Sequence, residues 1–372
     1  MRPTLAEINL SAISFNLKGI KAKVQPAGIM AVVKANAYGH GDIEICKAVI
    51  NSGVDYLGVA CVEEGITLRK AGLDVPMLVF SSAGLNRTDL YLQYDLEATI
   101  FDEPGLDNLR RSAEKLGKDA VVQIKVDTGM GRMGINWRRA VEYIKKVHQT
   151  PHVKIQGVYT HFATSDHLDK SFALLQLERF NQVLEELNEN GIDIPLKHAA
   201  NSGAILDLPE SYFDIVRPGI LMYGYYPSSQ TSESIPLKPA MTFKTKVVYI
   251  KEVEKGGSVS YDRIFIAPER TLIASLPVGY ADGYNRLLSK GGQVLIRGKR
   301  FPVVGRVCMD LIMVDLGDDT EIMIGDDAVL FGAQGNDSIS VQSISDKCNT
   351  VPYEIICWIS PRVPRIYTNK EE

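Results

Sequence analysis

Long apolar runs are missing from this sequence. No segment approaches the roughly 18 uninterrupted apolar residues of a membrane span, and Met1-Arg2-Pro3-Thr4 is not followed by the apolar core of an export signal. The expectation is a cytoplasmic protein without a membrane partner. Basic runs are missing as well, and with a formal charge of −4 nothing electrostatic favours nucleic acid or an anionic surface. Small molecules are the expected partners. Cysteine is scarce: five residues, an odd number without framework spacing, fit reduced thiols better than a disulfide scaffold, and Cys46, Cys61 and Cys357 read as core residues. Metal-ligand patterns are equally thin. His148 and His152 have helical pair spacing, but Pro151 between them would break the helix, and His161 and His167 flank a loop without cysteine or paired acids, so no metal is expected. There is no internal repeat, and Asn369-Lys370-Glu371-Glu372 reads as a frayed tail.

What is present is a chain of 372 residues, too long for one ordinary domain and too apolar to be disordered. Short apolar runs alternate with amphipathic stretches from Ala27 onward. Strands are expected at 28–33, 56–60, 77–80, 98–101, 121–126, 156–161, 196–200 and 215–219. The clearest helix is Lys170 to Asn190, with an apolar stripe of Phe172, Leu175, Leu177, Phe180, Val183, Leu184 and Leu187 and a solvated acidic face at Glu185, Glu186 and Glu189. This alternation points to an α/β fold, a (β/α)₈ TIM-type barrel. Beyond about Pro227 the helical periodicity gives way to short β runs at 241–250, 271–276, 293–296, 312–315, 327–331 and 357–359, with turns such as Lys255-Gly256-Gly257. The expected division is a barrel over 11–230 and a mostly β C-terminal domain over 236–372, joined by an N-terminal strand within 1–10.

In such a barrel the chemistry lies at the carboxyl ends of the strands. Lys34 stands there, after the apolar run Ala27 to Val33 and before Ala35-Asn36-Ala37-Tyr38-Gly39-His40-Gly41. A desolvated lysine has a lowered pKa and is a better nucleophile and base, which makes Lys34 a candidate Schiff-base former. A lysine that merely ends a strand in solvent is the competing reading. Lys125 and Asp127, His161, Asn201 and Ser202, and Arg217 fall at the ends of later strands. Gly129-Met130-Gly131-Arg132-Met133-Gly134 fits the dinucleotide fingerprint, but it follows the fifth strand, opens no helix directly and has no acidic residue ending a next strand about 20 positions on. A tight loop presenting Arg132 to a carboxylate is the better reading.

Together the Lys34 segment, Val126-Asp127-Thr128-Gly129-Met130-Gly131-Arg132-Met133-Gly134, His161-Phe162-Ala163, Ala200-Asn201-Ser202 and Arg217-Pro218-Gly219 through Met222-Tyr223-Gly224 resemble alanine racemase. Val259-Ser260-Tyr261, Gly279-Tyr280-Ala281-Asp282-Gly283-Tyr284, Gly305-Arg306-Val307-Cys308-Met309-Asp310, Tyr353-Glu354 and Arg362-Val363-Pro364-Arg365 continue the likeness in order, so it spans nearly the whole chain.

The resemblance implies pyridoxal 5′-phosphate held on Lys34 as a Schiff base and acting as electron sink, and interconversion of L- and D-alanine, supplying D-alanine for peptidoglycan. It implies two opposed bases: Lys34 on one face and Tyr261, given by the other subunit of a head-to-tail homodimer, on the opposite face. His161 would adjust the tyrosine, with Arg217 next in the network and facing the pyridine nitrogen. By the same likeness Tyr38, Ser202 and Tyr353 hydroxyls and the amides of Gly219 and Ile220 hold phosphate. Arg132 and the partner's Met309 backbone bind the substrate carboxylate. Lys125 matches a position carbamylated in some relatives, and Tyr280, Asp166, Arg286 and Arg306 line a narrow entrance corridor. One departure is Asp262, where many relatives carry glycine after the tyrosine. The competing readings are a pyridoxal-phosphate carrier on a single barrel, a decarboxylase of related fold, and a serine or broad-specificity racemase. The second domain and Tyr261 oppose the carrier. The arginine opposite the pyridine nitrogen and the tight entrance oppose the decarboxylase.

Overall fold

The computed structural model describes residues 2–82 and 87–369. The chain divides into two compact units. One comprises Ile13–Ala37 and Asp42–Leu237; the other comprises Met1–Ala12, Tyr38–Gly41 and Lys238–Glu372.

The first unit is the expected barrel. Its parallel strands are Gly28–Val32, Tyr56–Val59, Met77–Ser82, Glu97–Ile100, Ala120–Asp127, Val153–Tyr159, Leu196–His198 and Ile215–Val216, the first seven paired in that order and the eighth paired to the first. The seventh and eighth strands close the ring through Asp214 N–H to Lys197 O at 3.1 Å and Arg217 N–H to Ala200 O at 2.9 Å. Continuous apolar runs suit strands covered on both sides. Met30, Tyr56, Leu78, Tyr159 and Ile215 form one interior cluster, with Phe80 and Leu196 against it.

Helices start and stop where local chemistry dictates. In Glu103–Leu116 the Asp102 carboxylate accepts from Gly105 N–H at 2.8 Å, and Gly117 ends the helix in the left-handed region. The helix expected over 170–190 is Ser171–Glu189, but its buried stripe is narrower than the pattern implied. Leu177, Phe180, Val183 and Leu187 are buried, with Ala173 and Gln176 completing the face, while Phe172 and Leu175 are exposed. The polar Gln176 is drawn inward by its bonds to Ala163 N–H and His161 O.

The second unit is built on a sheet ordered Tyr249–Val253, Thr271–Leu276, Ile312–Gly317, Lys299–Val304, Gln293–Ile296, Asp327–Gln334, Met241–Lys246, Leu5–Asn9 and Arg365–Thr368. Its pairs are antiparallel except the last, which is parallel. Val253, Val259, Ala267, Ile273 and Val304 pack one of its cores.

Three expectations are corrected here. The single β run over 241–250 is two strands, because Val247 and Val248 leave the first ladder to bond Asp326 O and Ser275 O. Residues 357–359 are not a strand. Pro352 opens a helix that ends at Cys357, since proline at a first helical turn sacrifices no hydrogen bond. Cys357 is accordingly exposed, not core, and Cys61 is only partly buried, whereas Cys46 is buried as expected. The expected tail at Lys370, Glu371 and Glu372 lies outside the described residues. Among the described residues no helix is long and apolar enough to cross a membrane.

Candidate active site

The carboxyl ends of the barrel strands carry the titratable cluster. Lys34 lies two residues past the first strand and is partly buried. Ala35, Asn36, Ala37 and Tyr38, none of them glycine, follow it with φ of 54°, 54°, 50° and 51°. A left-handed turn costs roughly 1–2 kcal/mol per such residue, so it must be held by its surroundings. Glu64 is one holder. Its carboxylate accepts from Ala35 N–H and from Ala60 N–H, both at 2.7 Å, tying the turn to the end of the second strand. Asn36 Oδ1 accepts from Asp42 N–H at 3.0 Å, and Val33 O accepts from Ala37 N–H at 2.9 Å.

Lys125, on the fifth strand, is buried. Desolvation, then the cations Arg132, Arg217 and Lys34, lower its pKa to about 8. Arg132 sits exposed in the loop after that strand, where Asp127 Oδ1 accepts from Gly129 and Gly131 N–H at 2.9 and 3.1 Å and shapes the turn. His161 lies two residues past the sixth strand. Burial of its ring and the neighbouring Arg217, Arg132, Lys125 and Lys34 hold it well below the usual histidine range, hence neutral.

Arg217 is 3% exposed, and desolvation lowers its pKa to about 10. It donates to Thr160 O at 2.8 Å, Ala199 O at 2.9 Å, His198 Nδ1 at 2.6 Å and His161 Nδ1 at 3.3 Å. A guanidinium cannot accept, so the proton on neutral His161 belongs on Nε2. Ser202 opens a short helix after the seventh strand, and its hydroxyl accepts from Gly219 N–H at 3.0 Å. Gly219 in turn precedes the 3₁₀ turn Ile220–Tyr223. Asp166 lies on the loop after the sixth strand, its carbonyl accepting from the Ser228 hydroxyl at 2.6 Å.

The other unit holds the remaining candidates. The Tyr38 and Tyr353 rings are 6.0 Å apart, and burial pushes the Tyr38 hydroxyl far up, so it stays protonated. Tyr261 is 70% exposed in a turn where Ser260, Asp262 and Arg263 all have positive φ. The glycine expected after the tyrosine is replaced by a residue that tolerates this region: Asp262 has φ 61°, and its carboxylate accepts from Arg306 Nε at 2.9 Å. The Ser260 hydroxyl bonds Arg306 O at 2.7 Å and lies 3.4 Å from Cys308 Sγ. Tyr280 and Ala281 N–H groups donate to Cys308 O and Met309 O at 3.0 and 3.1 Å. Gly279 makes this approach feasible, since a Cβ there would lie 2.3 Å from both carbonyl oxygens. Tyr280 and Arg286 line one depression with Gly283, Asn285 and Trp358.

Three contributors had escaped the sequence reading. Glu64 was hidden by its distance in sequence from Lys34. Gln123 and His198 sit inside strands, where a polar residue in an apolar run was the only available signal. Among the described residues no group of three or more His, Cys, Asp or Glu is placed to hold a metal ion.

The sequence matches the family model of the alanine racemase N-terminal domain over residues 8–227 and that of its C-terminal domain over 240–367. It is 47% identical to an alanine racemase of Halothermothrix orenii, covering 99% of this chain and 98% of the relative. It is 46% identical to alanine racemase 2 of Caldanaerobacter subterraneus subsp. tengcongensis, with 100% and 96% covered. Among solved structures, alanine racemase of Clostridium difficile superposes with a TM-score of 0.94 at 37% identity, covering 100% of this chain and 97% of that one. The Bacillus anthracis alanine racemase with bound L-Ala-P gives 0.92 at 37%, covering 99% and 96%. Fold and similarity together define an amino-acid racemase, an isomerase on a barrel followed by a mostly β domain. The chain belongs to the alanine racemase family.

Proposed function

We propose that the protein interconverts L- and D-alanine with pyridoxal 5′-phosphate, in a homodimer whose sites are shared between subunits. The observation that carries this reading is the donor set at the barrel rim. A lysine amine lies among cations, a buried guanidinium is fixed by four bonds, and the Ser202 hydroxyl meets Gly219 N–H, which suits an amine-reactive, aromatic, phosphorylated cofactor. Bound there, the cofactor would draw electrons from the substrate's α-carbon and acidify its hydrogen.

In this reading Lys34 anchors the cofactor and moves the proton on one face. The partner subunit's Tyr261 moves it on the other. His161, with its proton on Nε2, donates to that tyrosine oxygen and favours its ionised form, while Arg217 holds His161 from behind. Arg217 would face the ring nitrogen of the bound cofactor and, being unable to give up a proton readily, would leave that nitrogen unprotonated and disfavour side reactions. Tyr38, Ser202 and Tyr353 hydroxyls and the Gly219 and Ile220 amides hold the phosphate. Arg132 and the backbone of the partner subunit's Met309 take the substrate carboxylate. Lys125, with a pKa near 8, has enough neutral amine to react with carbon dioxide, and the carbamate would orient Arg132. Tyr280, Asp166, Arg286 and Arg306 limit side-chain size at the entrance. A cytoplasmic role in D-alanine supply for peptidoglycan completes the proposal.

Subunit complementation tests it. Lys34→Ala and Tyr261→Phe homodimers should each be nearly inactive, and mixing them under subunit exchange should restore up to about a quarter of wild-type activity, because half the dimers are mixed and half their sites intact. No recovery despite demonstrated exchange would contradict a shared site.

A further inference from the structure

A chain of hydrogen bonds runs through the barrel interior behind Arg217. None of the four acceptors of this buried guanidinium is a carboxylate. Because Arg217 only donates, His198 Nδ1 accepts, and burial keeps that imidazole neutral, so its proton is on Nε2. Nε2 lies 2.6 Å from Gln123 Oε1, to which it donates. The amide nitrogen of Gln123 donates in turn to Glu97 Oε2 at 2.6 Å. An ionised carboxylate only accepts, so Glu97 fixes the amide from one end as Arg217 fixes the imidazole from the other.

The surroundings leave little freedom. Gln123 and His198 are fully buried, and His198 lies flat on Tyr159, with centroids 4.8 Å apart and planes at 8°. Gly157 clears the space, since a Cβ there would come within 2.9 Å of Gln123 Oε1. Tyr56 also bonds Glu97 and accepts from Gln156 Nε2 at 3.2 Å. Burial raises the Glu97 carboxyl above its ordinary range, a cost an apolar packing residue would avoid.

We propose that Glu97 and Gln123 are positioning residues for the racemisation, holding His198 with its proton on Nε2 so that Nδ1 orients the Arg217 guanidinium toward the reaction centre. The inference rests on the role given to Arg217 above. A carboxylate at the far end polarises the chain, as outer partners do for metal-bound histidines.

The test pairs nitrogen-15 NMR of histidine-labelled holoenzyme with steady-state kinetics on alanine. The wild type should show His198 protonated on Nε2 alone, with a downfield proton. In Glu97→Leu the amide loses its anchor. That proton should broaden or move upfield, and kcat should fall about tenfold with KM changed less than about twofold. Glu97→Gln, which still offers an acceptor oxygen, should recover most of both. Should Glu97→Leu fail to fold, Glu97→Asp carries the test through a smaller upfield shift and a smaller kcat loss. A wild-type His198 spectrum and kcat in the folded variant would overturn the proposal. The NMR arm needs no turnover, so an intact relay signal in a wild type that does not racemise alanine would sink the functional reading instead.

Discussion

The two units hold their candidate residues in opposite ways. In the barrel unit Lys125, Ser202 and Arg217 are buried, and Arg217 alone makes four hydrogen bonds to its own unit. In the β unit Tyr261, Tyr280 and Met309 are 70%, 43% and 53% exposed, beside the exposed apolar Ile264, Ile266 and Leu311. One half of the proposed site is organised within a single chain. The other half of the proposed site is exposed on its own unit, as residues offered to a second copy would be.

Breaking the organised half should cost most. Lys34→Ala is expected to lower kcat by about 10³-fold or more and abolish the covalent cofactor's absorbance, measured by spectrophotometry and a coupled D-alanine assay. Breaking the displayed half should be directional. Tyr261→Phe should lose about 10²-fold or more in one direction of racemisation, with cofactor absorbance retained, since the barrel unit is untouched. Glu64→Gln replaces one of the two carboxylate oxygens that pin the left-handed turn with a donor. Activity should fall about tenfold while the melting temperature moves by only a few degrees, because the turn after Lys34 is strained and its placement matters more than its stability.

The contrast should also appear in pH dependence. His161 and His198 are held neutral in the folded barrel while the unfolded chain protonates near 6.5. Below that value the unfolded state binds more protons. Stability should therefore be full above about pH 6.5 and decline as pH falls, and His198→Gln should flatten this slope in thermal melts. Lys125, kept as the free amine in buffer free of carbon dioxide, acts in the alkaline range. With a folded value of about 8 against 10.5, it makes stability rise with pH across that interval, and Lys125→Met should remove the rise. The smallest effect belongs to the exposed Asp262–Arg306 pair. Asp262→Gly should shift the melting temperature by less than about 3 °C, because glycine relieves the positive φ and an exposed ion pair contributes little.

The barrel was legible because apolar runs covered on both faces leave an unmistakable pattern, and the rim residues follow from where those runs end. The β unit was less so. Lys299–Val304 carries Lys299, Arg300 and Pro302, and so lacks the alternation that marks a strand, while Val341–Cys348 is recognisable mainly by its Ser340 cap. The left-handed turn at 35–38 had no glycine to announce it. Glu64 and the Glu97–Gln123–His198 chain arise from residues far apart in sequence, where only tertiary geometry assigns partners.

The most direct measurement is D-alanine formation from L-alanine by the purified protein loaded with pyridoxal phosphate, with L-serine run alongside. The account predicts rapid racemisation of alanine, slower turnover of serine and strong loss in Tyr261→Phe. Cofactor bound through Lys34 with no amino acid racemised would contradict it and favour a carrier.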